Sequence, residues 1–276
     1  MSIQENSKDY SDLKMAVELL ESPSIIARIS NVIGSPIEGV TKRLPASVSK
    51  KINGVVESAL HKAADVALWS LDNEPSKSAS TKLHKFYAAI SGALGGTFGF
   101  TSLFVELPIS TTIMMRSVAD VARSEGFDLN TFSAKSACIE VFALGGATKK
   151  NDATETGYYI SRGFMTESMR QLSKELVEIA AKQGGKIVSN LTPTQTGKLF
   201  AEIIEKVAAR FGVVITNKLA AQAVPVIGAI TGATINTFFT DFYQDMARGH
   251  FIIKRLEAKY GEEQVKAEYE KIVNGN

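Results

Sequence analysis

The chain lacks most of the residues that catalytic and metal sites use. Among 276 residues it has one cysteine and three histidines. Cys138 therefore forms no internal disulfide, and no CxxC pair, HExxH pair, Walker loop, nucleophile elbow or dinucleotide-binding glycine motif occurs. We expect no cofactor and no metal, and we interpret Cys138 as a buried structural thiol rather than a nucleophile.

A strong net charge is also missing. Lys and Arg total 31 against 29 Asp and Glu, a net charge of +2. This balance provides no field that would attract DNA or RNA, so we expect no nucleic-acid partner. The first residues have neither a basic start nor an apolar export segment, and the lone cysteine is typical of a reducing compartment. A cytoplasmic protein is predicted.

Strand signals are absent throughout. Apolar residues recur at spacings of three and four, and no hairpin turn joins two alternating runs. The pattern predicts helices over 11–33, broken at Ser22-Pro23, and over about 47–71. The polar tract 72–80 is interpreted as a loop within one domain. With 45% apolar residues the chain supports a large core, and we predict an all-α, single multi-helix domain.

Two long runs without charge stand out in this pattern. They cover 86–105 and 219–240, and each is long enough to cross a bilayer. Polar residues dilute both runs, and their flanking charges conflict with the positive-inside rule. We therefore interpret them as buried central helices, or as helices that line an apolar cavity. Their glycines, spaced for close helix crossing, are Gly92, Gly95, Gly96, Gly99, Gly228 and Gly232.

The segment 104-FVELPISTTIMMRSVADVARSEG-126 combines an apolar helix with an ordered row of charges. Pro108 suits the first position of a helix over about 108–125, and Gly126 suits its end. Glu106 then lies at the positive end of the helix dipole.

Along that helix Thr112, Arg116, Asp120 and Arg123 form a narrow polar stripe beside a broad apolar face. Arg116 and Asp120 have the spacing of an ion pair. Two interpretations stay open: a solvated helix face, or the polar border of an apolar pocket that holds a ligand head group.

A second charged group follows the second apolar run. Asp241, Asp245 and Arg248 share one helix face, with His250 beside them. The two acids repel each other unless a cation lies between them, and Arg248 or a residue of another helix, such as Arg116, would supply it. An Asp/His group would also suit acid-base chemistry or a metal, although a lone histidine on a mixed face is more often structural.

The chain resembles the EcsC protein family. The resemblance rests on 104–126, 138-CIEVFALGG-146 and 208–261, and it extends over about residues 15–262. It implies an EcsC-like all-helical domain over 15–262, an N-terminal tail over 1–14 and a C-terminal helical tail over 263–276. The residues on the family's recurring motifs are Glu106, Arg116, Asp120, Asn236, Asp241, Arg248 and His250.

The resemblance implies a bacterial protein with a membrane connection, since the family takes its name from a protein encoded beside ABC-transporter components. It implies no defined reaction. We expect a binding protein at the inner face of the cytoplasmic membrane that accommodates a lipid-like or amphiphilic ligand, with the motif residues as the ligand site. The alternatives are a hydrolase that uses an Asp/His site and a non-catalytic scaffold of a membrane complex or transporter.

Overall fold

The computed structural model of the chain describes residues 2–33, 46–70, 103–144, 157–163, 193–223 and 232–275. This part of the chain is helical and contains no strand, which confirms the predicted all-α fold. Its α-helices are α1 (Ser7–Leu20), α2 (Ile25–Ile33), α3 (Ala46–Ser70), α4 (Leu103–Ser124), α5 (Phe132–Glu140), α6 (157–163), α7 (Pro193–Ala223), α8 (Gly232–Tyr260) and α9 (Glu262–Val273). Short 3-10 helices cover Ile3–Glu5 and Val141–Ala143.

The N-terminal helices follow the local signals. The predicted break at Ser22-Pro23 separates α1 from α2, and the helix predicted over 47–71 is α3. The segment assigned to an N-terminal tail carries the first 3-10 helix and half of α1, and both Ile3 and Leu13 are buried.

The start of α4 differs from the prediction. The helix already includes Leu103, so Pro108 lies inside it rather than at its first position. The apolar face continues upstream, where Leu107 is fully buried, and this packing outweighs the one backbone bond that proline removes. Glu106 remains in the first turn.

The end of α4 is as predicted. Gly126 has a φ of 91°, which glycine adopts without strain. Its amide donates to the Arg123 carbonyl over 3.0 Å, and the Phe127 amide donates to the Ala122 carbonyl over 3.1 Å. These two bonds form a Schellman motif that closes the helix.

Helices α4 and α8 run side by side in the same direction at the centre of the described core. Glu106 meets Asn236 near their starts, and Glu125 meets Arg255 near their ends. Helix α7 runs antiparallel to α8 and also packs on α3, which in turn packs on α4, while α1 covers the other side of α8.

The glycine-rich parts of the two apolar runs lie mostly outside the described residues, namely 86–102 and 224–231. Close crossing at those glycines stays a prediction. The described residues do show two close crossings elsewhere: Gly249 of α8 lies against Leu20, and Gly212 of α7 lies against Asn53. Within the described helices, none combines the length and apolar character that crossing a membrane requires.

Candidate functional site

Three polar side chains from three helices meet in the protein interior, and we call them the buried triad: Glu106 of α4, Lys218 of α7 and Asn236 of α8. Lys218 Nζ donates to Glu106 Oε1 over 2.8 Å, and Asn236 Nδ2 donates to the same oxygen over 2.9 Å. The side chains of Lys218 and Glu106 are 0% and 5% exposed. An ion pair is thus held in the core with a third side chain bonded to it.

The buried triad brings the ends of the two apolar runs together. Glu106 directly follows the run 86–105, Lys218 directly precedes the run 219–240, and Asn236 lies within the second run. The Lys218 ammonium also lies 5.4 Å from the centre of the Phe239 ring. Removing both charges from water is costly, and their attraction and hydrogen bonds offset that cost only with good geometry.

A line of buried polar contacts continues along α4. Gln244 Nε2 donates to Ser117 Oγ over 2.6 Å across the α4–α8 contact. Asp120 pairs with Arg123, one turn further on, where the sequence predicted a pair with Arg116. Asp120 and Arg123 are both buried, so a solvated face is the wrong description for this part of the stripe.

The remaining motif residues of α8 lie closer to the surface. Asp241, Asp245 and Arg248 are all half-buried. Asp245 Oδ2 lies 3.5 Å from Arg28 Nη1 of α2, so a counter-charge does come from another helix, although the residue is Arg28 and not Arg116.

His250 lies apart from the buried triad. It lies fourteen positions after Asn236, which is about 21 Å along the helix axis. Its Nδ1 shares a hydrogen bond of 2.9 Å with the Tyr158 hydroxyl, and its Nε2 lies 3.9 Å from Glu140 Oε2, beyond hydrogen-bond distance. Burial, together with the nearby positive charges of Lys254 and Arg162, holds the pKa of His250 well below its usual value. The imidazole is therefore neutral at pH 7.

Aromatic rings connect the surroundings of His250 to α9. Tyr158 stacks on Tyr269 of α9 with ring centres 5.7 Å apart, and the Tyr269 hydroxyl donates to Glu21 over 2.9 Å.

Burial raises the pKa of the Cys138 thiol, as expected for a structural thiol. Among the described residues no group of three or more His, Cys, Asp or Glu side chains is arranged to hold a metal ion.

The structure thus brings together Glu106 and Asn236 from the predicted set and leaves His250 apart from them. Sequence reasoning missed Lys218 and Tyr158 as partners. The sequence contains one clue to Lys218, because this charge borders the second apolar run. That position does not identify the acid with which Lys218 pairs. Tyr158 had no signal, because nothing in its local sequence points to a histidine 92 positions away.

Comparison with known proteins agrees with the resemblance seen in the sequence. The sequence model of the EcsC protein family matches residues 14–256. No curated protein and no solved structure matches the chain. The buried triad and His250 lie inside the matched region, whereas α9 and the first half of α1 lie outside it.

Proposed function

This chain belongs to the EcsC protein family, and we propose that it binds a lipid-like or other amphiphilic ligand. The observation that supports the proposal is the position of the buried triad, which joins an acid, a cation and an amide where two long uncharged runs begin and end. An amphiphile needs both an apolar environment for its tail and a few polar groups for its head.

The energetics of the triad favour a role beyond packing. Replacing a buried ion pair by apolar residues of similar size is often neutral or stabilising. The pair of Lys218 and Glu106, with side chains 0% and 5% exposed, therefore contributes little to stability compared with apolar residues in the same positions. In a binding site these charges would have a function, because a polar head group inside an apolar environment needs partners for its hydrogen bonds.

In this proposal Glu106, Asn236 and Lys218 contact the head group, and the runs 86–105 and 219–240 accept the tail. Asp120 extends the polar side of the site along α4. The other predicted site residues, Arg116, Asp241, Arg248 and His250, stay predictions as ligand contacts.

Lipid extraction and native mass spectrometry of the purified protein test the proposal. We expect an acyl-containing molecule bound to the wild type, and much less in the Glu106→Gln/Lys218→Met double variant, which keeps the side-chain volumes but removes both charges. Asp65→Asn, on an exposed position of α3, is the control and should retain the ligand. Folded wild-type protein that is free of acyl chains would contradict the proposal.

We further propose that the protein acts at the inner face of the cytoplasmic membrane, as an accessory to a membrane transporter. This part rests on the membrane connection that the family resemblance implies. Fractionation without detergent should recover most of the protein in the supernatant and a smaller share on membranes, released by salt or carbonate. Full retention in carbonate-washed membranes would show instead that the apolar runs insert.

A hydrolase is the second candidate, and His250 is the observation that favours it. The imidazole is neutral, Nε2 has no hydrogen-bond partner among the described residues, and Glu140 lies 3.9 Å away. Asp241 is nine positions earlier on α8, about 13 Å along the axis and on the opposite side, so Glu140 would replace it as the acid. Ester hydrolysis that His250→Gln abolishes would support this candidate. Equal rates in both proteins would exclude it.

A further inference from the structure

We infer that the ligand head group carries no net charge but both donates and accepts hydrogen bonds, as a zwitterionic phospholipid head group does. The inference rests on the proposed amphiphile binding and concerns the chemical class that the buried triad selects. Its basis is the sum of the charges in the triad and the arrangement of their hydrogen bonds.

The charges of the buried triad cancel. Lys218 contributes one positive charge, Glu106 one negative charge, and Asn236 none, and the three side chains are almost fully removed from solvent. A monovalent anion bound there would leave one uncompensated negative charge in the interior, which is strongly unfavourable. A group without net charge adds no such cost.

The hydrogen bonds point to the same class. Both Lys218 and Asn236 donate to a single carboxylate oxygen, Glu106 Oε1. Within the described residues, the other oxygen of Glu106 accepts no hydrogen bond, and Lys218 uses one of the three N–H groups of its ammonium in hydrogen bonding. The site thus offers an acceptor on Glu106 and donors on Lys218. A complementary head group needs a donor and an acceptor close together.

Two lipids with identical acyl chains separate this class from its rival. Phosphatidylethanolamine carries a phosphate and an ammonium and has no net charge, whereas phosphatidylglycerol has a net charge of about −1. We expect the wild type to retain phosphatidylethanolamine over phosphatidylglycerol by about tenfold or more in native mass spectra, because the anion leaves a buried charge unbalanced.

Charge variants make the test specific to the triad. Glu106→Gln leaves Lys218 without its counter-charge, so the preference should reverse toward phosphatidylglycerol. Lys218→Met leaves Glu106 alone, so binding should shift toward a cationic amphiphile such as dodecyltrimethylammonium. The double variant lacks both charges and should retain little of either phospholipid. Asp65→Asn should behave as the wild type.

The outcomes distinguish the two proposals. Equal retention of both phospholipids by the wild type, or an unchanged preference in Glu106→Gln, would overturn the head-group inference and leave amphiphile binding intact. Absence of any bound lipid from folded wild type would overturn the proposed function itself. If the single variants do not fold, the comparison of the two phospholipids on the wild type decides the inference, and equal retention or a preference for phosphatidylglycerol would overturn it.

Discussion

One carboxylate oxygen connects three helices of this protein. Glu106 Oε1 accepts hydrogen bonds from Lys218 and Asn236, and each partner comes from a different helix. Glu106 itself lies in the first turn of α4, where the helix dipole also stabilises its negative charge. Because Lys218 is the cation that compensates this acid, the effect of removing the lysine measures how far the pair is desolvated.

Lys218→Met should lower the free energy of unfolding by about 3–5 kcal/mol, because it leaves the buried Glu106 carboxylate without its counter-ion. Adding Glu106→Gln should recover a large part of that loss, since an amide is far cheaper to bury than an unpaired charge. Urea unfolding of the four proteins in a double-mutant cycle gives the coupling energy. Strictly additive effects would show that the two side chains do not form a desolvated pair.

His250 predicts a dependence of stability on pH. Its pKa in the folded protein lies well below the ordinary 6.5, mainly because of burial. Above pH 6.5 the folded and unfolded states both leave this group neutral. Below pH 6.5 the unfolded chain binds a proton that the folded chain does not, so the free energy of unfolding falls with decreasing pH, by up to about 1.4 kcal/mol per unit.

His250→Gln provides the comparison for that prediction. The variant should lose the part of the slope between pH 6.5 and the folded-state pKa, while the other titrating groups keep theirs. Urea unfolding at several pH values below 7 measures both slopes. Parallel curves for the wild type and the variant would contradict the lowered pKa.

At the scale of the helices, close approach depends on two glycines that lie outside the Gly-rich runs. A Cβ at Gly249 would lie 2.6 Å from Leu20 Cγ, so α1 contacts the backbone of α8 directly at this point. At Gly212 the neighbour is the Asn53 side-chain oxygen, which is the end of a flexible side chain. The α1–α8 crossing is therefore the one that depends more strictly on glycine.

Gly249→Ala should lower the free energy of unfolding by about 1–3 kcal/mol, because the added methyl group forces α1 and α8 apart. Gly54→Ala is the matched control, since a Cβ at that exposed helical position meets nothing within 4 Å. The control should raise stability by up to about 1 kcal/mol, as alanine favours helix over glycine. Thermal unfolding that moves both variants in the same direction would remove the argument for close crossing.

At the scale of the whole molecule, residues near the N-terminus form hydrogen bonds and ion pairs with residues near the C-terminus. Lys259 and Tyr260 both donate to Asp9 Oδ2 over 2.6 Å, and Arg255 lies 3.6 Å from the other oxygen of Asp9. Gln4 donates to Glu268 of α9 as well. The first half of α1 and the residues after 256 lie outside the family match, yet they pack on each other and on α8.

Asp9→Asn should lower the melting temperature by roughly 2–4 °C, because it removes the charge that Lys259 and Arg255 share. The hydrogen bonds from Lys259 and Tyr260 lower the pKa of Asp9 below 3.8, so the wild type keeps this stability above pH 3.8 and loses it as the pH falls further. Calorimetry at pH 7 and at pH 3 measures the difference between the two proteins. A difference as large at pH 3 as at pH 7 would contradict this account.

The sequence by itself determined the features that depend on neighbours along the chain. The 3.6-residue period predicts helices, Ser22-Pro23 interrupts one, and Gly126 ends another, because these effects act within a few residues. The family could also be identified, since its motifs are contiguous segments. Pro108 shows where such local reasoning ends: its position inside α4 follows from packing of the preceding turn.

Only the tertiary structure decided which polar groups meet. Glu106 accepts hydrogen bonds from Lys218, 112 residues away, and from Asn236, 130 residues away. On its own helix, Asp120 pairs with Arg123 and not with Arg116. Periodicity shows which face of a helix is apolar, but it does not give the rotation and register of that helix against its neighbours. Those two quantities set which side chains face each other, and they result from the packing of all the helices at once.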